Sequence, residues 1–330
     1  MNPPLRYGFR VVGDPTKRRR LIDAAGAFAG YASCSALAEI DRESYLSAFC
    51  YGDDFRALLR TTGSTRGFAG ACWSPFIWFD IDNEANPEQA LTDARRLVLL
   101  ILERHRTFDD DALLIFFSGR RGYHVGLPTV WGPVPSGSFH LVARRFANRL
   151  ATEAGVAIDA GIYDRVRCFR APNSRHPRTG LHKRRFTLDE LLNLSADRIR
   201  EMARQPQAFD VPTINTDLRA AVQDWTECVR EVEQESAARK QRRVTFAAGS
   251  PTLNRQTLAF IRDGAEEGSR HRLLFSAAAN LAEFGCPPAL AHALLAEAAL
   301  DSGLSPREVH RQIECGLQHG TGSTEGNGRA

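Results

Sequence analysis

Apolar positions mark out the elements before any composition is considered. From Phe76 to Ile81 they are almost continuous, broken only by Asp80. The run is short, aromatic and β-branched, opened by Pro75 and stopped by Asn83, which predicts a strand over 76–82. After Pro87 the apolar residues Ala90, Ala94, Leu97, Val98 and Ile101 recur with a period near 3.6, which predicts a helix. Ala112 to Phe117 reads as a second buried strand, Ser118 to Gly122 as a turn, and Tyr123 to Leu127 as a third strand. Phe139 to Ala154 has helical spacing and is closed by Gly155 just past its end. Thr187-x-x-Glu190 is a capping box that opens a helix reaching about Arg204.

The pattern then changes. Residues 205–216 hold Pro206, Pro212 and Asn215 and read as a linker, followed by a polar helix and the basic run 239–243. From about 251 to 319 the chain is rich in Ala and Leu and helical, with Gly285 and Pro287-Pro288 between two helices. Ser305-Pro306-Arg307-Glu308 is a capping box with Pro at the first helical position. The tail after Gly320 has the composition of a disordered segment. The domains expected are 1–205, a linker with a polar helix over 206–250, a helical domain over 251–320, and a tail over 321–330.

Composition narrows the class. The 330 residues, 43% hydrophobic and 25% charged, suit a globular chain of about two domains. No apolar run approaches the ~18 residues of a membrane span, and the basic N-terminal residues lack the apolar segment of a secretory signal. Seven cysteines without a C-x-x-C pair fit neither a disulfide framework nor a zinc finger, and suggest a reducing, cytoplasmic setting. The net charge of +4 permits a polyanionic partner without requiring one.

Three places could carry chemistry. Asp80 and Asp82 stand two apart on a strand and so share a face. Their repulsion would be relieved by Mg²⁺ or Mn²⁺, hard cations that take oxygen ligands. The plainer reading is two solvated acids at a strand end. The turn Ser118-Gly119-Arg120-Arg121-Gly122, followed by His124, offers a hydroxyl, backbone N–H groups and charge to phosphate oxygens. Its plainer reading is a solvated hairpin tip beside a core histidine. Beyond Asp159, the stretch Arg165 to Arg185 holds eight Lys or Arg and no acid. The cluster reads as a surface for triphosphate and nucleic-acid backbone, with Arg165, Arg175, His176, Lys183, Arg184 and Arg185 as the candidate nucleic-acid contacts; the plainer reading is a solvated face. Interleaved Phe169, Pro172 and Phe186 mark the stretch as folded.

In this order the residues resemble the archaeo-eukaryotic primase superfamily, in its primase–polymerase branch of plasmids, phages and mobile elements. Phe79-Asp80-Ile81-Asp82 is similar to that family's metal-binding acidic motif, Ser118 to His124 to its phosphate-holding motif, and Ile158-Asp159 with Tyr163, Arg167, Phe169 and Arg170 to its third. The resemblance implies an α/β (α+β) catalytic core with an RRM-like sheet. Asp80, Asp82 and Asp159 would hold two metal ions. Ser118, Gly119, Arg121, His124, Arg167 and Arg170 would bind the nucleoside triphosphate, ribo or deoxyribo. Gly264 to Gly320 is similar to the small all-α C-terminal domain that often follows. The activity implied is primer synthesis or extension on single-stranded DNA, with a separate helicase or initiator as partner, since no P-loop is present. Neither zinc nor a membrane is expected. A gap-filling or end-joining polymerase, a non-catalytic replication initiator and a metal-dependent nuclease are the alternatives.

Overall fold

The computed structural model describes residues 5–83, 86–105, 110–212, 219–248 and 253–321. Asn215 and the tail from 322 onward lie outside them, as do the side chains of Lys240, Arg242 and Arg243. The chain divides into two compact units, Met1–Ser236 and Ala237–Ala330.

The first unit is mixed α/β and built on two antiparallel sheets. One is formed by β1 (Tyr7–Val12), β2 (Arg20–Asp23), β3 (Ser44–Ser47), β4 (Cys50–Tyr51), β5 (Cys72–Trp73) and β9 (Cys168–Arg170), with α1 (Ala24–Ala32) and α2 (Asp53–Thr62) between its strands. Its order is β5-β4-β1-β3-β9, and β2 also pairs with β1. The second sheet contains β6 (Phe76–Asp82), β7 (Leu114–Phe117), β8 (Gly122–Pro128) and β10 (Arg184–Phe186) in the order β10-β7-β8-β6. Helix α3 (Pro87–Arg104) follows β6, and α4 (Phe139–Glu153) follows β8.

The two faces of β6 differ. Phe79 and Ile81 join the core that includes Leu91, Leu97 and Val98 of α3 and Phe146 of α4. The other face carries Trp78, Asp80 and Asp82. Local signals account for the helix ends. Asn86 caps α3, whose first residue is Pro87, and Gly155 has φ +66° beyond α4.

Two local expectations shift. Ala112 lies in a 3₁₀ turn, Asp110–Ala112, so β7 starts only at Leu114. The helix after Thr187 is two helices, α5 (Leu188–Asn193) and α6 (Ala196–Met202). The Thr187 capping box is present, but Leu194 turns extended and Ser195 caps a new helix through Arg198 N–H.

Helix α7 (Arg219–Ala248) is the polar helix expected of a linker, yet its first half packs firmly on the first unit. Ala221, Trp225, Cys228 and Val232 form one buried stripe. Trp225 sits among Trp131, Phe139 and Phe146, with ring centroids 5.9, 5.2 and 5.7 Å away. Arg145 and Arg149 of α4 pair with Glu227, Glu231 and Glu235, and Arg104 chelates Asp224 at 2.8 and 2.9 Å.

The second unit holds α8 (Arg255–Asp263), α9 (Arg270–Glu283), α10 (Pro288–Asp301) and α11 (Pro306–Thr321) around Phe260, Leu274, Leu281, Leu295 and Ile313. A Cβ on Gly316 would stand 2.6 Å from both Phe275 O and Ala278 Cβ, so glycine lets α11 lie close on α9. Among the described residues no helix is long and apolar enough to cross a membrane, and all seven cysteines are free thiols.

Candidate active site

The β6–β8 ladder sets the floor of the site. Its register places Asp80 opposite His124, Asp82 opposite Gly122 and Trp78 opposite Gly126. Gly122, His124 and Gly126 therefore share one face of β8. The glycines leave room for their partners. A Cβ at Gly122 would fall 1.8 Å from Asp82 Oδ1, and one at Gly126 2.6 Å from the Trp78 ring.

Over this floor opens a cavity of ≈ 200 Å³. Asp80 and Asp82 line it from β6 and His124 from β8. Ser118, Arg120 and Arg121 line it from the turn between β7 and β8, and Arg167, Phe169, Arg170 and His176 from β9 and its flanks. The turn is tightly made. Ser118 N–H donates to Gly122 O, Gly122 N–H donates to Ser118 Oγ, and Gly119 takes φ +92°. Thr179 Oγ1 donates to Gly119 O at 2.5 Å, which ties the turn to the loop carrying His176. Arg121 Nε lies 3.6 Å from Asp82 Oδ2.

Asp159 is exposed and reaches the site through backbone. Its N–H donates to the carbonyl of Asp80 at 2.9 Å, and its Oδ1 accepts from Gly161 N–H, capping the 3₁₀ turn Ala160–Tyr163. Tyr163 is buried and its hydroxyl donates to Trp78 O, so this member of the third motif fastens the turn against β6. Asp159 does not line the cavity.

Electrostatics separate the carboxylates. Burial pushes the pKa of Asp80 up, but the charges of His124, Lys183 and Arg167 outweigh it and the net shift is down. Burial, then the charges of Asp80 and Asp159, push Asp82 up against Arg121. Burial and Lys183 hold His124 down to about 4. His124 is therefore neutral at pH 7, leaving as basic neighbours of Asp80 Arg167 and the Lys183 amine, whose own pKa burial pushes well below the ordinary lysine value. His124 Nε2 stands 3.3 Å from Asp80 Oδ1, yet that oxygen is buried with no hydrogen-bond partner.

This unpartnered oxygen, and three acids close enough to perturb one another, suit a divalent cation. Asp80, Asp82 and Asp159 do not by themselves form a tight ligand group. Among the described residues the three-ligand cluster within 4.8 Å is His292, His310 and Glu314 of the second unit.

The basic stretch divides. Arg167 is exposed at the cavity. Arg170 is braced: Nη2 donates to Tyr45 Oη at 3.0 Å, and the guanidinium lies 4.9 Å from the Tyr45 ring and 3.6 Å from Glu43. Arg165 donates to Phe68 O and Gly137 O, and exposed Arg175 donates to Gly180 O. His176 is buried in the cavity wall, held down to about 4 by burial and four nearby arginines.

Lys183 corrects the expectation of a nucleic-acid contact. It is 1% exposed, its Nζ donates to Arg170 O, and it lies 4.1, 4.8 and 5.2 Å from the rings of Phe169, Phe116 and Trp78. An aromatic cage replaces part of the water a cation loses on burial. Arg184 and Arg185 are also turned to structure. Arg184 donates to Met202 O, and Arg185 donates to Asp111 O while lying over Phe209. Neither lines the cavity.

Tyr45 and Glu43 are the parts that sequence reasoning missed. Tyr45 enters because β3 pairs with β9, which sets it opposite Arg170. No local motif announces that pairing.

No family model matches the chain, and no curated protein matches it. A solved structure described as the crystal structure of primase RepB′ aligns with 99% of this chain and 96% of its own, at 12% identity and a TM-score of 0.36. A likeness that distant carries no argument, and the residues of the cavity remain the ground for a function.

Proposed function

We propose that this chain is a template-dependent nucleotidyltransferase, a primase or primase–polymerase that makes or extends primers on single-stranded DNA. One observation carries the reading: a single cavity is lined by two strand-borne carboxylates and by the hydroxyl and guanidinium groups of a glycine-bearing turn and of β9. Phosphoryl chemistry needs such a combination, with acids to hold cations and donors to hold a triphosphate.

In this reading Asp80 and Asp82 would hold Mg²⁺ or Mn²⁺ from the cavity lining, and Asp159 would join them from outside it. Such ions, when bound, lower the pKa of a primer 3′-hydroxyl and stabilise the charge that develops at the α-phosphate. Ser118, Arg120, Arg121 and Arg167 neutralise and orient the triphosphate. Arg170, fixed by Tyr45 and Glu43, presents a positioned charge with little freedom left to lose on binding. Neutral His124 packs on Phe169 at 4.3 Å and stands beside Asp80 on the cavity floor. The element order β6-α3-β7-β8-α4-β10, with β9 of the other sheet before β10, shares the β-α-β-β-α-β succession of an RRM-like core. Strand β10, however, joins the sheet beside β7 and not beside β6, so the RRM-like strand order is not reproduced. The helical second unit assists template binding or initiation, and a separate helicase or initiator delivers the strand.

A substrate panel tests this. The protein is offered unprimed single strands, primed strands and gaps with a 5′-phosphate, with labelled nucleotides and Mn²⁺ or Mg²⁺, beside Asp80→Ala/Asp82→Ala. Labelled oligomers on unprimed strands, absent from the variant, support priming. Extension of primers alone supports polymerase without priming, and a preference for phosphorylated gaps supports repair synthesis. Tight strand binding with no synthesis on any substrate overturns the enzymatic reading.

A further inference from the structure

We propose that His292, His310 and Glu314 form a site for one zinc-class divalent ion in the second unit. His310 and Glu314 stand four apart on α11 and so share a helix face. His292 reaches them from α10. Its Nε2 lies 2.9 Å from Glu314 Oε1, and its ring centroid lies 5.0 Å from that of His310 at 66°. One ligand atom from each residue lies within 4.8 Å of the others. A tetrahedral ion with bonds of about 2.0 Å needs separations of about 3.3 Å, so modest side-chain rotation closes the set.

The donor chemistry selects the ion. Two imidazole nitrogens and one carboxylate oxygen suit zinc and its neighbours rather than Mg²⁺ or Ca²⁺, which favour all-oxygen sets. His292 and Glu314 are half-buried and His310 is exposed, so solvent reaches the group. A surface ion pair accounts for His292 with Glu314 but gives no part to the second imidazole beside them. The ion also has structural work to do. Helix α10 fully buries Ala291, Leu295 and Ala299, with Leu294, Ala296 and Ala298 partly buried beside them, and a metal bridge would fasten it further to α11. This site is independent of the cavity over β6 and β8.

The test uses tag-free full-length protein carrying Asp80→Asn/Asp82→Asn, so that the carboxylate cavity does not compete. Zn²⁺ is titrated by calorimetry, bound metal is counted after dialysis, and thermal unfolding is followed with and without the ion. Expected are one ion per chain, an upward shift of Tm with Zn²⁺, and affinity weakened about tenfold or more in His292→Ala and in His310→Ala. Exposed His310 makes its variant a fair one: without metal it melts like the parent, and with metal the upward shift is lost. Binding of equal strength and stoichiometry in parent and variants, or no saturable binding to the parent, overturns the proposal.

Discussion

Gly122 faces Asp82 across the β6–β8 ladder with no room for a methyl group between them. A Cβ there would sit 1.8 Å from Asp82 Oδ1 and 2.5 Å from Ile81 O. Gly122→Ala is expected to displace the Asp82 carboxylate and strain the strand pair. Nucleotide incorporation should fall about a hundredfold or more, by the loss of a positioned catalytic group, and the unfolding midpoint in urea should drop. Adding Asp82→Ala relieves the closer clash, so the double variant should be more stable than the two single losses combined. Strictly additive losses would contradict the packing described.

Lys183 is the buried amine beneath the site, its pKa pushed well below the ordinary lysine value by burial. Lys183→Met keeps the volume and removes the charge, which should alter stability by only about 1–2 kcal/mol. The charge effect is larger, because Lys183 holds both His124 and Asp80 to lower pKa. The acidic limb of the pH–rate profile should move toward neutrality, while the salt dependence of single-strand binding stays as in wild type. A reduced salt slope would mean that Lys183 meets the strand after all.

Acid should destabilise the first unit before its carboxylates dominate. Burial holds His124, His140 and His176 at about 4 in the folded chain, against about 6.5 unfolded. Between these values the unfolded chain binds more protons, so stability rises with pH over that window and falls as pH drops from about 6.5 toward 4. Each histidine contributes at most about 1.4 kcal/mol per pH unit, and His140, partly exposed, contributes less through screening. Urea denaturation at pH 7 and pH 5 measures the slope, and His140→Gln should flatten it. A midpoint unchanged between the two pH values would contradict the burial of these rings.

Arg167 and Arg185 separate the two kinds of arginine in the basic stretch. Arg167→Ala should raise the KM for nucleotide about tenfold with unchanged thermal unfolding, since it leaves an exposed position at the cavity. Arg185→Ala should leave KM and strand affinity alone and cost about 1–2 kcal/mol of stability through its lost hydrogen bond and ring contact. Equal effects on KM would dissolve the distinction.

The legible parts of the molecule are those set by neighbours in sequence. The aromatic run of β6, the 3.6-residue period of α3, Gly155 after α4 and the capping boxes at Thr187 and Ser305 each state a local backbone preference. Asp80 and Asp82 belong with these, because alternation along a strand puts both on one face. Less legible are features made by distant partners. The first sheet uses strands as short as Cys50–Tyr51, whose pairing no periodicity reveals. Lys183 to Arg185 read as part of a nucleic-acid track because the aromatics beside them come from β6, β7, β9 and the 209 region. The stripe Ala221-Trp225-Cys228-Val232 hides among the charges of α7, of which Glu227, Glu231 and Glu235 pair with α4. The join of His292 to His310 and Glu314 spans two helices and has no zinc spacing in sequence.

Nucleotide transfer in the cavity over Asp80, Asp82 and His124 can be read from the label released by γ-labelled nucleoside triphosphate with a single-stranded template and Mn²⁺. Nucleotidyl transfer liberates pyrophosphate, whereas hydrolysis of the terminal phosphate liberates orthophosphate. Template-dependent pyrophosphate is expected, matched by lengthening oligomers and abolished in a folded Asp82→Asn protein. Release of orthophosphate alone, or pyrophosphate release that survives Asp82→Asn, would contradict nucleotidyl transfer at this site.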